Sequence, residues 1–235
     1  MSDEAKGAPR FAVVTGASRG VGRATAIALA RRGLAVGLVG RASNELEETR
    51  SLALESGAPE VRTWLADLAD PRAVEATGRR LAAEVEVEVL VNNAGVAHRT
   101  RIEETSTESY EEQIAVNLSA PFILSREVLP GMRRRARGRI VHVGSISSTL
   151  GTPRLAAYCA SKWGLVGLMK SLAEEIRDSG LMTVAILPGS IDTRMLEGSG
   201  FPPRMTADEV AKSIVYFALD APLSHNGSVI EMFGV

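Results

Sequence analysis

Tyr158 and Lys162 stand four residues apart in the run Tyr-Cys-Ala-Ser-Lys, and Ser145 lies thirteen residues before the tyrosine. On a helix, a spacing of four stacks two side chains on one face, about one turn apart. A phenol held beside an ammonium is a proton donor and acceptor that works near neutral pH. Free tyrosine titrates near 10, and each unit of depression takes about 1.4 kcal/mol of preference for the phenolate. A lysine close by in a partly dry cleft supplies that preference, so a lowered phenol is expected at Tyr158. The pair alone is not specific, because a tyrosine and a lysine one turn apart also occur on plain exposed helices.

A second chemical feature lies near the N-terminus. Thr15-Gly16-Ala17-Ser18-Arg19-Gly20-Val21-Gly22 follows an apolar run at 11–15 and precedes a helical pattern. Glycines in such a turn let the backbone reverse tightly, approach a pyrophosphate and seat the helix on the sheet. The N–H groups at the helix start then face an anion. The spacing is G-x-x-x-G-x-G, not the more widespread G-x-G-x-x-G.

Short β-branched runs alternate with longer helical patterns along the chain. Strands are expected at 11–15, 34–39, 61–66, 87–92, 139–144, 182–187 and 228–233, and helices near 21–32, 43–56, 71–84, 109–135, 153–179 and 206–219. That alternation predicts an α/β protein with a doubly wound parallel sheet, helices on both faces, and ligands beyond the carboxyl ends of the strands. Residues 10–235 fit one such domain, 1–9 a flexible polar tail, and the Gly- and Pro-rich segment 189–205 a substrate loop, either a lid or a plain connection.

The chain has 235 residues, 45% of them hydrophobic and 23% charged, which suits one sizeable domain with a full core. A net charge of −1 gives no field that draws nucleic acid or an anionic membrane. No stretch approaches the roughly 20 apolar residues of a membrane span, and the polar N-terminus has no signal-peptide pattern. A lone cysteine, Cys159, excludes an internal disulfide, suits a reducing cytoplasm and reads as buried packing. Three unclustered histidines argue against a metal site, and His98 reads as surface. The run Arg133-Arg134-Arg135-Ala136-Arg137 ends a helical pattern, where cations complement the dipole, so it is not taken as a nucleic-acid patch.

The motif Thr15 to Gly22, then Asn92-Asn93-Ala94-Gly95, Asn117, Ser145, Tyr158 with Lys162, and Pro188-Gly189 with Asp192-Thr193 follow one another along the chain. In that order they resemble the short-chain dehydrogenase/reductase family, in its compact one-domain form. The resemblance implies a seven-stranded Rossmann sheet, a nicotinamide dinucleotide, and hydride transfer between nicotinamide C4 and a small carbonyl or secondary-alcohol substrate. It implies that Tyr158 exchanges the alkoxide proton, that Lys162 lowers the phenol and holds the ribose, and that Ser145 holds the carbonyl oxygen. Ser147 and Ser148 are neighbouring hydroxyls, and the thirteen-residue offset favours Ser145. Asn117 either holds a water that links Lys162 to solvent or is a satisfied polar residue between helices.

By the same resemblance the dinucleotide lies against Gly16, Ser18, Arg19, Gly20, Val21 and Gly22. Asp67 and Leu68 fall on the adenine side, Asn93, Ala94 and Gly95 beside the ribose, and Pro188, Gly189, Ile191 and Thr193 at the nicotinamide, with Tyr158 and Lys162. Asn92 either contacts the cofactor or ties adjacent strands. Asp67 also suits a turn, while Asp70, before Pro71, suits a helix cap. The strand at 34–39 leads into Gly40-Arg41, where NAD-selective members carry a carboxylate. Its absence removes repulsion against a 2′-phosphate, and Arg41, with Arg19 opposite, offers charged forks, so NADP(H) is expected over NAD(H). A homotetramer or dimer through the helices beginning near Ser109 and Pro153 is the family expectation. One alternative is a 3-oxoacyl carrier-protein reductase, with Arg154 and Arg194 facing the carrier. Another, of a different class, is a non-catalytic dinucleotide-binding redox sensor, which would not need Ser145, Tyr158 and Lys162 together.

Overall fold

The computed structural model describes residues 9–234, so the expected tail at 1–9 lies, but for Pro9, outside the described residues. Strands β1 (Arg10–Thr15), β2 (Ala35–Gly40), β3 (Val61–Leu65), β4 (Glu86–Asn92), β5 (Gly138–Val143), β6 (Leu181–Pro188) and β7 (Val229–Met232) form one sheet. Between them run helices α1 (Gly20–Ala30), α2 (Ser43–Glu55), α3 (Pro71–Glu84), α4 (Thr107–Ile114), α5 (Ala120–Arg135), α6 (Ala156–Glu175) and α7 (Ala207–Val215).

Strand order is β3-β2-β1-β4-β5-β6-β7, and every neighbouring pair is parallel. Parallel strands covered on both faces lose the in–out alternation, which is why β2 and β6 are buried at every position. Along β1, Ala12 and Val14 join one core layer with Leu29 and Ile214, whereas Phe11 and Val13 join the other with Trp64, Leu124 and Met132. Chain order reverses between β1 and β4, and such a reversal opens a crevice beyond the strand ends.

The expected helix at 109–135 is broken. α4 ends at Ile114, a π-helical turn covers Ala115–Ser119, and α5 begins at Ala120. Pro121 has no N–H to return to the Asn117 carbonyl, so the α-ladder cannot pass that point undisturbed. A second π turn, Tyr216–Asp220, replaces the last turn expected after α7. The helix expected from 153 begins at Ala156, because Arg154 adopts φ 63°, outside the helical region. Asp70 caps α3 as expected, accepting from the Arg72 N–H at 2.9 Å with Pro71 in the first turn.

Asn92, at the end of β4, ties strands together. Its amide donates to the Ser125 hydroxyl at 3.3 Å and lies 3.4 Å from His142 Nδ1 on β5. His142 is fully buried, and burial together with the Lys162 charge pushes its imidazole from 6.5 down to about 3. The folded chain keeps this ring neutral while the unfolded chain protonates it. Stability should therefore fall as pH drops below 6.5, by about 1.4 kcal/mol per unit from this group, and stop falling near the folded value. Urea unfolding across that window should show a flatter slope for His142→Asn; identical slopes would refute the assignment.

Candidate active site

The site is built where β5 runs out. Gly144 N–H still pairs with the Ile186 carbonyl at 2.8 Å, and Ser145 then opens a short 3-10 turn, Ile146–Ser148. Ser145 Oγ accepts from the Ser147 N–H at 3.1 Å, which leaves its own proton to donate, and its hydroxyl favours the ionised form of the Tyr158 phenol. The neighbouring hydroxyls are occupied elsewhere: Ser147 Oγ with Thr152 Oγ1 at 3.0 Å, and Ser148 Oγ accepting from the Ser145 N–H at 3.2 Å. Both are buried, so of the three serines only Ser145 offers its hydroxyl to the phenol.

Tyr158 and Lys162 share the inner face of α6, with 8% and 3% of their surface exposed. Lys162 Nζ donates to the Val143 carbonyl at 2.9 Å and stands 5.7 Å from the Tyr158 ring centre. The lowered phenol expected from the spacing is not found. Burial pushes the Tyr158 phenol up, Ser145 opposes this by hydrogen bonding, and Arg99 opposes it more weakly through its charge. Desolvation brings the Lys162 ammonium down to about 8. Spacing fixes the shared face; the direction of the shift is decided by how little water the phenol meets.

Asn117 sits in the π turn, fully buried. Its Oδ1 accepts from the Val96 N–H at 2.9 Å, and its amide donates to the Val96 carbonyl at 2.9 Å and Ser161 Oγ at 3.0 Å. Both amide protons are thus used within the protein, and the side chain clamps the loop after β4.

At the sheet reversal, Thr15 Oγ1 accepts from the Asn93 and Ala94 N–H groups, each at 3.0 Å, and the Asn93 amide donates to the Thr15 carbonyl at 2.8 Å. These bonds fix the glycine turn against the loop after β4. Gly16 has φ 65°, and a Cβ there would lie 2.8 Å from Ala94 Cα; a Cβ on Gly22 would collide with the Gly16 carbonyl. The turn is a shallow backbone cradle at the start of α1, which fits a pyrophosphate. Val21 and Leu68 turn their side chains into the core, so only their main chains could meet a ligand. Asp67 accepts from the Ala69 N–H at 3.0 Å, a local turn, and lies 4.0 Å from Arg41.

The segment 189–205 lies over this cradle. Gly189, just past Pro188, donates to the Met232 carbonyl at 2.8 Å, and Ile191 bridges to Met205. The Thr193 methyl comes within 3.4 Å of the Cβ position of Gly20. Arg194 and Arg19 share one carboxylate, Glu45 at the start of α2, at 3.4 and 3.5 Å. Ser18 Oγ packs 2.9 Å from the Cβ position of Gly40, so a side chain at the end of β2 would crowd the turn.

Glu45, Arg99 and Val143 belong to this neighbourhood, although the motif pattern includes none of them, and Thr15, which opens the glycine motif, acts here through its hydroxyl. Thr15 alone had a local signal, as the last residue of a strand feeding a glycine turn. His98 is exposed and pairs with Glu112 at 2.8 Å. Cys159, expected to be buried, is half-buried, its thiol facing the Leu150 carbonyl, because one step along α6 from Tyr158 turns it away from the core. Among the described residues no group of three His, Cys, Asp or Glu could hold a metal ion, and no helix is long and apolar enough to cross a membrane.

A doubly wound sheet with its phosphate cradle at the reversal and a serine–phenol–ammonium cluster beyond β5 defines a Rossmann-type oxidoreductase. Residues 10–200 match the short chain dehydrogenase family. Nodulation protein G of Rhizobium meliloti (strain 1021) is 35% identical over 238 residues, 96% of each protein. The 3-oxoacyl-(acyl-carrier-protein) reductase of Escherichia coli (strain K12) is 33% identical over 246 residues, again 96% of each. A solved 3-oxoacyl (acyl-carrier-protein) reductase from Agrobacterium tumefaciens C58, with NADP bound, superposes at a TM-score of 0.89 and 26% identity, over 96% of this chain and 93% of that one. The chain belongs to the short-chain dehydrogenase family. It is accordingly an oxidoreductase that interconverts CH–OH and C=O groups with a nicotinamide dinucleotide.

Proposed function

We propose that the chain reduces small carbonyl compounds, or oxidises the matching alcohols, with NADP(H), and that Ser145, Tyr158 and Lys162 form its site. The observation that carries the assignment is the buried pair Tyr158 and Lys162 on one face of α6, with Lys162 Nζ 5.7 Å from the phenol ring centre and the Ser145 hydroxyl favouring the ionised phenol. When bound, the dinucleotide supplies or accepts a hydride at nicotinamide C4. Ser145 holds the substrate oxygen through its remaining proton, since its lone pair already receives Ser147 N–H. Tyr158, kept protonated by burial, gives its proton to that oxygen as it becomes an alkoxide. Lys162 offers a positive charge to the phenolate left behind, and the Asn117 carbonyl holds the water that returns a proton to it.

Glycines 16, 20 and 22 cradle the pyrophosphate, Asn93 to Gly95 flank the ribose, and Pro188, Gly189, Ile191 and Thr193 face the nicotinamide. No carboxylate stands at the end of β2, and Arg41 is 63% exposed with Asp67 no nearer than 4.0 Å, so its fork is available to a 2′-phosphate. The NADP-bound relative from Agrobacterium supports the same choice. A carrier-protein substrate, as its name and that of the Escherichia coli relative suggest, is less favoured here, because Arg194 is engaged by Glu45.

Tyr158→Phe should lower kcat by about 100-fold or more while the NADPH Kd, read by fluorescence titration, changes little. A variant that keeps most of its turnover would remove Tyr158 from the role. Arg41→Ala should raise the KM for NADPH about tenfold and leave that for NADH nearly unchanged, and equal rises would sink the phosphate assignment.

The same reading extends to assembly. Phe122 on α5 and Trp163 on α6 are 50% and 54% exposed, beside an apolar hollow of about 420 Å³ lined by Pro71, Leu118, Ser119, Phe122, Ile123 and Leu168. A continuous apolar face of this kind favours a second copy of the chain, as dimer or tetramer. Light scattering should return an oligomeric mass that Trp163→Glu reduces; a monomeric parent protein would end this part of the proposal.

A further inference from the structure

Arg99 lies half-buried on the loop after β4, at the substrate side of the cleft. Its guanidinium donates to the Met195 carbonyl of the segment 189–205 at 3.0 Å. Met195 reaches inward in turn: its methyl is 3.9 Å from the Cβ position of Gly95, and Lys162 Nζ is 3.6 Å from that same point. Arg99 is therefore bracketed between two segments that border the reacting groups. Its charge is also felt at the Tyr158 phenol.

Two other arginines around the cleft, Arg19 and Arg194, share the Glu45 carboxylate. Arg99 has no carboxylate within 4.0 Å among the described residues. Glu112, the acid that its loop does meet, is bonded to His98. A guanidinium has five N–H donors in a planar fork, and one of those of Arg99 is used. The remaining donors of this half-buried guanidinium can be taken by an incoming anion, in a bidentate pair if the anion is a carboxylate.

We propose that Arg99 binds a carboxylate on the substrate, so that the natural substrate class is a keto acid or hydroxy acid rather than a neutral ketone or alcohol. This rests on the oxidoreductase reading of Ser145, Tyr158 and Lys162. Arg99 grips the carboxylate with its free donors while Ser145 and Tyr158 hold the carbonyl oxygen, and two anchors fix which face of the carbonyl is presented. A site built around such a pairing rejects an analogue that lacks the charge far more strongly than a hydrophobic pocket rejects a missing methylene.

The test compares ketones in two forms, free carboxylate and methyl ester, at saturating NADPH, for the parent protein, Arg99→Met and Arg99→Lys. The parent acid-to-ester ratio of kcat/KM should be about tenfold or higher, carried mainly by KM. Arg99→Met should bring the ratio to about one, and Arg99→Lys should recover part of it. A non-reacting alkanoate should raise the melting temperature of the parent protein and not that of Arg99→Met, a readout that needs no turnover. A parent ratio near one overturns the proposal without any variant. So does a ratio that survives Arg99→Met, which would leave Arg99 as a tether for Met195 only. Reduction of esters but not acids sinks this inference and spares the oxidoreductase reading; absence of turnover for both forms with either dinucleotide sinks both.

Discussion

A charged ammonium with almost no access to water is the constraint around which this site is arranged. Lys162 is 3% exposed, meets the Val143 carbonyl at 2.9 Å, and has its pKa lowered from 10.5 to about 8 by desolvation. At neutral pH the group is still charged, and keeping it so in the fold costs about 3 kcal/mol. Because the folded pKa lies below the unfolded one, that cost is present below pH 8 and is relieved as pH rises toward 10.5. Nothing in packing requires a lysine at this place. A neutral side chain would fill it more cheaply, so the strain belongs to what the charge does for a neighbouring phenol or a ligand.

The same dryness acts on Tyr158 and His142 with opposite sign conventions and one physical origin. The phenol is held protonated and the imidazole is held neutral, since each avoids its charged form. Lys162 keeps its charge beside these neutral groups, and Arg99 adds a second, weaker positive influence at the phenol. In the proposed mechanism, a proton leaving Tyr158 would leave a phenolate near the Lys162 cation, which would favour the transfer.

How much of this could be read from sequence depends on whether the cause is local. The parallel sheet was legible because strands such as Val36–Gly40 in β2 and Thr183–Leu187 in β6 are apolar runs bounded by turn residues, and their neighbours are helical patterns. The order of Ser145, Tyr158 and Lys162 was legible for the same reason. The π turn at Ala115–Ser119 was not, since hydrophobic periodicity runs through it, although Pro121 was the available warning. Also hidden was Glu45 shared between Arg19 and Arg194, because a contact across 149 positions leaves no local trace. Asn117 was legible as a site position but not in its manner of acting, which depends on which of its polar groups other residues have already taken.

The segment 189–205 is anchored at its ends and lightly held between them. Ile191 and Met205, near its two ends, pack into the core, while the stretch between is tied outward by the Arg194–Glu45 pair, the Arg99 donation to the Met195 carbonyl and the Thr193 methyl against Gly20. Exposed ion pairs of this kind contribute little to stability, and none of the three buries a large apolar side chain. By contrast β6, from which the segment departs, is buried at all positions between β5 and β7. The boundary between rigid and adjustable therefore falls at Pro188-Gly189, where the last ladder bond, from Gly189 to Met232, is made. The partners that hold the segment, Glu45 and Arg99, are also groups that an anionic ligand in the cleft would perturb: a phosphate by competing for Arg19 and a carboxylate by competing for Arg99. The middle of the segment is thus held by exposed polar contacts, whereas the phenol and ammonium beneath it are held by α6 and β5.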